Sequence, residues 1–279
     1  MGKSYIITSF KGGVGKTTLS ANLAMTLARR GHSVVAVDCD LESRCLDIVL
    51  GLENSTLFNV CDCIRGTCTI ENALVRDERC DNLFFISAPA FYPERNEQGI
   101  LSEDSFTDEA VGNFVKALRE RFDYVIFDLP ARPDNLYRKL ALIADEAFVV
   151  CLHTATSIRA AEKTAIALNE LTKYGSENVT SGGLEIRLIV NGFKSKDAKS
   201  GINSGLYEII SKTRLQLYGV IPFSSAMSKA QEMGKLAHES GSAGMPFSRA
   251  IENIVSRCEG KKVPLFKGVD IGVKKSGVM

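Results

Sequence analysis

The most chemically specific part of the sequence is the run Lys-Gly-Gly-Val-Gly-Lys-Thr-Thr at 11–18, which follows the apolar stretch 5–10. Glycines let the backbone N–H groups of a turn close around phosphate oxygens, and a helix that follows points the positive end of its dipole at the same anion. Lys16 can place a positive charge on the terminal phosphates, and the hydroxyl of Thr17 can ligate Mg²⁺. The run therefore predicts a nucleoside triphosphate site between the first strand and the first helix.

The loop departs from the ordinary phosphate-binding pattern GxxxxGKT. Phe10 stands where that pattern has its first glycine, and an additional lysine, Lys11, opens the turn. The whole run resembles the deviant Walker A loop of the MinD/ParA family of ATPases. The resemblance implies that Lys11 reaches across a dimer interface to the nucleotide of a partner subunit. It also implies that the nucleotide is held by the rest of the loop, namely Gly12, Gly13, Val14, Gly15, Lys16, Thr17 and Thr18.

Two apolar runs end in carboxylates. The run 124–128 finishes in Asp128, which is the Walker B arrangement, in which an aspartate holds Mg²⁺. The run 33–37 continues into Asp38-Cys-Asp40. The family resemblance implies that Asp40 orients the water that attacks the γ-phosphate, and that Asp38 assists at the Mg²⁺ shell or organises the loop. The predicted catalytic residues are therefore Lys11, Lys16 and Asp40, and the predicted metal ligands are Thr17, Asp38 and Asp128.

A third strand end predicts the place of the base. Asn191 follows the apolar run 184–190, and the segment Gly-Val-Ile-Pro occupies 219–222. Both resemble the base-binding walls of the same family, so Asn191, Ile221 and Pro222 are expected to contact the nucleotide. The GTP-reading pattern NKxD is absent, because the chain has Asn-Gly-Phe-Lys at 191–194. ATP, with Mg²⁺, is therefore the expected cofactor.

Alternative interpretations of the sequence differ in the process that nucleotide binding or hydrolysis would serve. Cys45 stands where the family commonly has an asparagine, and a thiol is a weaker hydrogen-bonding group, so one alternative is a nucleotide-binding scaffold with weak hydrolysis. Another alternative is a ParA-like ATPase that positions DNA or cargo. A metal-cluster carrier of this fold would need a cysteine just after the Walker B strand. A bacterial tyrosine kinase would need a cluster of tyrosines at the C-terminus. Neither feature is present, since 128–134 has no cysteine and no tyrosine follows Tyr218.

Composition favours one large α/β domain. The chain has 279 residues, of which 45% are hydrophobic and 24% charged, as is ordinary for a globular protein. A net charge of +1 gives no general attraction to nucleic acid, which disfavours DNA as a partner. No apolar run approaches the roughly 20 residues that cross a bilayer, and no secretory signal opens the chain.

Strands and helices are expected to alternate along the chain. Leu19, Leu23 and Leu27 form the apolar stripe of a first helix, and Gly31 suits its end. Repeated strand–helix units predict a doubly wound, mostly parallel sheet with helices on both faces, the α/β fold of P-loop NTPases. The further predicted strands are 83–87, 124–128, 147–152, 184–190 and 217–221; the further predicted helices are 111–122, 157–173, 205–214 and 224–234; the predicted loops are 174–183 and 194–205.

Three of the eight cysteines form the cluster Cys61-x-Cys63-x4-Cys68. The cluster raises the hypothesis of a metal site, but no paired CxxC and no nearby histidine completes a set of four ligands. The cysteines are therefore expected to be reduced thiols that pack as small apolar side chains.

The end of the chain allows two readings. Residues 1–260 are predicted to form the ATPase domain and 261–279 a tail. Gly268 and Gly272 each cost a helix about 1 kcal/mol relative to alanine, and Asp270 is repelled by an anionic surface, which favours a solvated tail. An amphipathic segment that contacts the membrane is the alternative, because several apolar side chains can share one helical face. These side chains are Leu265, Phe266, Val269 and Val273, with Lys267, Lys274 and Lys275 toward lipid phosphates.

The family resemblance extends from about residue 6 to about residue 255 and implies a function. In MinD-type members ATP closes two subunits face to face, and hydrolysis releases them. The implied role is an ATP-driven switch that helps to select the division septum site. The implied location is the cytoplasm, peripheral at the cytoplasmic face of the membrane when ATP is bound. The implied partners are a second copy of the chain, a MinE-like activator, a MinC-like division inhibitor and an anionic membrane.

Overall fold

The computed structural model describes residues 1–53, 57–91, 106–174 and 183–265. Within them, eight strands form one sheet in the order β3-β4-β2-β5-β1-β6-β7-β8. Neighbouring strands run parallel except at the edge, where β3 pairs antiparallel with β4. In chain order the strands are β1 (Lys3–Thr8), β2 (Val34–Asp38), β3 (Val75–Arg76), β4 (Leu83–Ile86), β5 (Tyr124–Asp128), β6 (Glu146–Cys151), β7 (Glu185–Phe193) and β8 (Gln216–Pro222).

Helices connect the strands and cover the sheet on both faces. Strands β2, β5 and β6 are buried along their whole length, and successive side chains of a strand point to opposite faces. The helices are α1 (Lys16–Arg29), α2 (Leu46–Leu50), α3 (Val60–Arg65), α4 (Ile70–Ala73), α5 (Asp108–Arg121), α6 (Asn135–Ile143), α7 (Ala155–Tyr174), α8 (Ser195–Lys199), α9 (Leu206–Thr213), α10 (Ser225–Gln231) and α11 (Gly241–Cys258), with a 3₁₀ turn at Ala237–Glu239. The predicted doubly wound α/β fold is confirmed.

The three strands that carry the site end at the same level of the sheet. Pairing aligns Ile7 of β1 with Asp128 of β5, and Asp38 of β2 with Asp128. Because these strands are parallel, the turn after β1 and both aspartates meet at the carboxyl edge of the sheet. Ligands of open α/β sheets bind at that edge.

Helix α1 places the second lysine of the turn at this edge. The helix begins at Lys16, directly after Gly15, whose φ of 92° lies in the left-handed region that favours glycine. Leu19, Leu23 and Leu27 are buried in the core, so the predicted apolar stripe is confirmed.

Helix α8 lies in a segment that the sequence predicts as a loop. The loop prediction at 194–205 is wrong at Ser195–Lys199, which form one short helix. The helix has five residues and buries none of them, so no apolar periodicity marks it in the sequence. The other predicted loop, 174–183, falls largely on residues outside the described part of the chain.

Helix α11, with 18 residues, has no counterpart among the predicted helices. Its first two turns contain Gly241, Gly244 and Pro246. In a sequence these residues indicate a loop rather than a helix, so the sequence does not predict this helix. Its remaining turns bury one stripe that packs on β8: Phe247, Ala250, Ile251, Ile254 and Val255. A Cβ at Gly219 of β8 would lie 2.6 Å from Ile254, so the glycine of the Gly-Val-Ile-Pro segment permits this packing.

The start of the predicted tail is fixed against the sheet. Arg257 of α11 donates to the carbonyl of Tyr218 over 3.0 Å and to that of Val263 over 3.1 Å. Residues 266–279, which carry most of the predicted membrane face, lie outside the described residues, and the division into 1–260 and 261–279 stays a prediction. Within the described ranges no helix is long and apolar enough to cross a membrane.

Candidate nucleotide-binding site

The turn after β1 has the backbone of a phosphate-binding loop. Gly13 and Gly15 have φ values of 72° and 92°, conformations that side chains with a Cβ rarely adopt. A Cβ at Gly15 would also collide with the side-chain amide of Asn191. The turn leads directly into the N-terminus of α1, whose dipole and free N–H groups favour an anion.

Asn191 fixes this loop from the neighbouring side of the sheet. Its Nδ2 donates to the carbonyl of Val14 over 2.8 Å, and its Oδ1 accepts from the backbone N–H of Gly192 over 2.9 Å. The residue also lines the cavity described below. Its hydrogen bonds therefore clamp the phosphate loop, a role that the sequence did not predict, while the expected contact with the base stays a prediction.

Lys16 is buried beside two carboxylates. Its side chain is within reach of the charges of Asp128 and Asp40, and only 8% of the residue is exposed. Burial lowers the pKa of the ammonium group, and the two carboxylates oppose that shift. A buried ammonium group that partly lacks water is well placed to be compensated by phosphate oxygens.

Asp128 ends β5 beneath the same loop. Its Oδ1 accepts a hydrogen bond from the hydroxyl of Ser20 over 2.9 Å. Burial raises the pKa of its carboxyl group to about 6, although hydrogen bonds from Thr17 and Ser20 lower it. The charged form of a carboxylate in such a place is favoured by a bound cation, so Asp128 and Thr17 fit the predicted Mg²⁺.

Asp38 organises the loop that follows β2. Its Oδ1 accepts from the N–H of Asp40, and its Oδ2 from the N–H of Leu46, each over 3.0 Å. The side chain is fully buried, and burial together with the charge of Asp128 raises its carboxyl pKa. These contacts correspond to the second of the two roles expected for Asp38, and its part in the Mg²⁺ shell stays a prediction.

Asp40 is half-buried in a tight loop. Its Oδ1 accepts from the N–H of Ser43 over 3.0 Å, and the next turn passes through Arg44 with a φ of 42°. Cys45 directs its Sγ to the carbonyl of Ser43 over 3.4 Å, and burial raises its thiol pKa. Cys45 does not line the cavity, so its departure from the family pattern leaves the cavity wall unchanged.

A cavity of about 600 Å³ extends from Gly13–Thr18 to the end of β8. Pro222 lines it, and its expected contact with the nucleotide stays a prediction. Ile221 does not line the cavity, because it is 1% exposed and faces the core. Neighbouring residues of a strand point to opposite sides, so Ile221 and Pro222 face different environments. The placement of Ile221 in the cavity wall is therefore not supported by the geometry.

Several residues of the cavity escaped the sequence analysis. Phe223 directly follows Pro222, and the ammonium of Lys194 lies 4.2 Å from the centre of its ring. Both line the cavity, as does the buried His153. Gln231 donates from its Nε2 to the hydroxyl of Thr18. Phe223 could have been found from the sequence, since it directly follows the Gly-Val-Ile-Pro segment that ends in Pro222. The other residues come from distant parts of the chain.

Lys11 lies apart from the cavity of its own chain. It is half-buried, and its Nζ donates to the hydroxyl of Thr156 in the first turn of α7 over 3.1 Å. It is not among the cavity-lining residues. This position is compatible with an action on another subunit, which stays a prediction.

Groups of three or more potential metal ligands do not occur in the described part of the chain. There, no three His, Cys, Asp or Glu side chains come together as a metal site. Cys63 and Cys68 approach each other to 3.6 Å between sulfurs, without a third ligand. Since Mg²⁺ is usually held by one or two carboxylates together with phosphates, the site at Asp128 does not need such a cluster.

Comparison with known proteins agrees with this geometry. Residues 5–237 match the model of the CobQ/CobB/MinD/ParA nucleotide binding domain. The chain is 34% identical over 266 residues to the septum site-determining protein MinD of Bacillus subtilis, covering 95% of this chain and 92% of that protein. It is 31% identical over 264 residues to the MinD of Synechocystis, with the same coverage. Among solved structures, it is similar to the MinC:MinD cell division protein complex of Aquifex aeolicus, with a TM-score of 0.76, 27% identity and coverage of 94% and 98%.

Proposed function

Because this chain belongs to the CobQ/CobB/MinD/ParA family of nucleotide-binding domains and is an ATPase of the MinD type, we propose that it acts as an ATP-dependent homodimer that helps to select the division septum site. The observation that carries the proposal is that Lys16 and Asp128 lie close together beneath the glycine-rich turn at the N-terminus of α1. Lys16 can neutralise charge on the terminal phosphates, and Asp128 can hold the cation that would neutralise more of it. The predicted family and ATPase activity are confirmed.

ATP with Mg²⁺ is the proposed cofactor. The cavity beyond the phosphate loop has room for a nucleoside, and the raised carboxyl pKa of Asp128 fits a cation. Thr17 and Asp128 would hold the metal, and Asp38 would support the loop beside it. When bound, Mg²⁺ neutralises phosphate charge.

The residues of the chain divide the work of hydrolysis. Lys16 holds the terminal phosphates, and its burial keeps water from screening that attraction. Asp40 orients the attacking water, and the N–H of Ser43 holds the carboxylate of Asp40 in place. Lys11 leaves Thr156 and reaches the nucleotide of the partner copy, so that dimerisation completes the charge around the γ-phosphate. Phosphoryl transfer depends mainly on such positioning and charge neutralisation.

The proposed partners follow from the same type of ATPase. A MinC-like division inhibitor is supported by the similarity to the MinC:MinD complex of Aquifex aeolicus. A MinE-like activator would stimulate turnover. The proposed location is the cytoplasm, with the ATP dimer at the cytoplasmic face of the membrane through its two tails. Two weak anchors on one dimer act together and bind more tightly than one.

Vesicle co-sedimentation tests the proposal. Full-length protein should pellet with anionic vesicles when ATP is present and hydrolysis is blocked by Asp40→Ala, and should stay in the supernatant with ADP. Protein truncated before Lys261 is the matched control and should not pellet with either nucleotide. Pelleting that ignores the nucleotide, or that the truncation leaves unchanged, would contradict the membrane-switch role.

A further inference from the structure

Helix α2, which follows the Asp40 loop, is held at both of its ends. At its start the N–H of Leu46 donates to Asp38 Oδ2 over 3.0 Å. At its end Gly51 touches Gly234, and both have left-handed backbones, with φ of 68° and 62°. A Cβ at Gly234 would lie 3.0 Å from the Cα of Gly51. The end of α2 therefore approaches the turn after α10 so closely that a side chain on either glycine would have little room.

Arg79, between β3 and β4, joins the two sides of this contact. Its Nη2 donates to the carbonyl of Leu50, the last residue of α2, over 2.6 Å. Its Nη1 donates to the carbonyl of Gly234 over 3.2 Å. Because the guanidinium group is planar and rigid, one side chain holds the two carbonyls in a fixed relation.

Two carboxylates hold the guanidinium group itself. Asp77, which is 1% exposed, accepts from Nε over 2.9 Å and from Nη2 over 2.6 Å. Glu239 accepts from Nη1 over 3.1 Å and also from the N–H of Leu236 over 2.8 Å. Together with the two carbonyls, these contacts use all five N–H donors that an arginine has. The side chain therefore has one well-defined position.

The turn after α10 is also attached to the phosphate-binding side. Gln231 donates to the hydroxyl of Thr18, and the N–H of Gly234 donates back to the carbonyl of Gln231 over 3.0 Å. The N–H of Ala237 donates to Asn22 Oδ1 over 2.8 Å. Both Thr18 and Asn22 belong to α1. The segment 231–237 is thus anchored on α1, and Arg79 attaches α2 to that segment.

We propose that Arg79 is a positioning residue for ATP hydrolysis, which clamps α2 and the Asp40 loop in place relative to α1 and the phosphate loop. The inference rests on the role proposed above for Asp40. Arg79 does not line the nucleotide cavity. Of the two segments that Arg79 joins, α2 and 231–237, only Gln231 lines the cavity, so loss of Arg79 should lower the rate of the chemical step much more than nucleotide affinity.

Arg79→Lys is the first test, because it keeps a positive charge beside Asp77 but cannot hold both carbonyls. We expect single-turnover phosphate release to fall about tenfold, since a small misplacement of a catalytic group has a large effect on rate. The Kd for a fluorescent ATP analogue should change less than about twofold, an effect below roughly 0.4 kcal/mol. Arg76→Lys is the matched control, since Arg76 is 62% exposed and pairs with Asp81 over 3.4 Å; its rate should equal the wild-type rate.

A second readout follows α2 without any chemistry. The chain has no tryptophan, and Ile48 of α2 is 46% exposed, so Ile48→Trp introduces a single tryptophan that can be excited selectively. Adding Arg79→Lys should lower the fluorescence anisotropy of this tryptophan. Glu239→Gln, which removes a negative charge from the guanidinium group but keeps an oxygen acceptor, should act in the same direction and more weakly.

Three results would overturn the inference: an unchanged rate, an unchanged anisotropy, or a Kd that rises in parallel with the loss of rate. Asp40→Ala measured beside these variants separates the two proposals. If Asp40→Ala hydrolyses ATP at the wild-type rate, the role of Asp40 fails, whereas a fall in anisotropy with Arg79→Lys still supports the clamp on α2.

Discussion

Two groups of charged residues surround the phosphate loop, and they differ in burial. The inner group, Lys16, Asp38 and Asp128, is buried, and its pKa values are shifted toward the neutral forms. The outer group, Lys11 and Asp40, is half-buried and rests on a hydroxyl and a backbone N–H. Binding of phosphate beside Lys16 and of a cation beside the carboxylates would therefore favour the charged forms of the inner group. The outer group remains accessible to water and to a second subunit.

The contrast separates binding from turnover. Residues of the inner group are held by the core and should determine whether nucleotide binds and how stable the empty protein is. Residues of the outer group are held by loops and should determine whether bound ATP is hydrolysed and whether two copies associate. Variants in each group test this division.

The largest effect is expected for Lys16→Ala. Affinity for a fluorescent ATP analogue should fall at least about 100-fold, since a buried charge-assisted contact with phosphate is lost. Titration of the analogue measures this directly. Lys163→Ala on the exposed face of α7 is the control and should bind as the wild type does. If Lys16→Ala bound the analogue with near wild-type affinity, Lys16 would not be a residue that determines nucleotide binding.

Asp40→Ala should separate turnover from binding. Phosphate release should slow about 100-fold because the attacking water loses its orientation, while the Kd for the ATP analogue stays unchanged. Glu42→Ala, an exposed acid in the same loop, should have no effect on either quantity. Equal rates for Asp40→Ala and Glu42→Ala would contradict the assignment.

The inner group should also make stability depend on pH. The folded-state pKa of Asp128, about 6, lies above its ordinary value of 3.8, so the folded protein retains a proton that the unfolded chain has lost. Its contribution to stability is therefore present below pH 4 and is lost as pH rises through 6. Asp128→Asn mimics the protonated side chain. Its free energy of unfolding should exceed that of the wild type by about 3 kcal/mol at pH 7.5, with no difference below pH 4.

Urea unfolding of both proteins at a series of pH values measures this difference. Titrating groups that do not interact with Asp128 are common to the two proteins and cancel in the comparison, whereas Asp38 and Lys16, whose pKa values depend on its charge, do not cancel. If the free energies of unfolding of wild type and Asp128→Asn showed the same dependence on pH, Asp128 would not be a carboxylate whose pKa is raised by folding.

Much of the site could be predicted because its signals are contiguous in the sequence. The run 11–18 specifies a turn and a helix start, and the apolar strand before Asp128 specifies its place at the sheet edge. The hydrogen bond from Gln231 to Thr18 spans 213 positions of the chain, and no local pattern predicts such a contact. Arg79 likewise joins three separate segments.

Packing and strand register carry information that the local sequence does not. Helix α11 begins with two glycines and a proline, which local propensity reads as a loop, but its later turns are stabilised by packing on β8. Ile221 is expected to contact the nucleotide because the family segment contains it; within β8 only Pro222 lines the cavity, and the contact of Ile221 stays a prediction. Tertiary packing decides where the helix forms, and strand register, rather than residue type, decides which residues of β8 line the cavity.

The central claim is that ATP joins two copies of the chain through Lys11. Light scattering of Asp40→Ala, loaded with ATP and Mg²⁺ at high protein concentration, tests it most directly. The account predicts twice the 30.4 kDa mass of one chain, and the mass of a single chain once Lys11→Ala is added. A single-chain mass for Asp40→Ala with ATP, or a dimer that persists without Lys11, would contradict it.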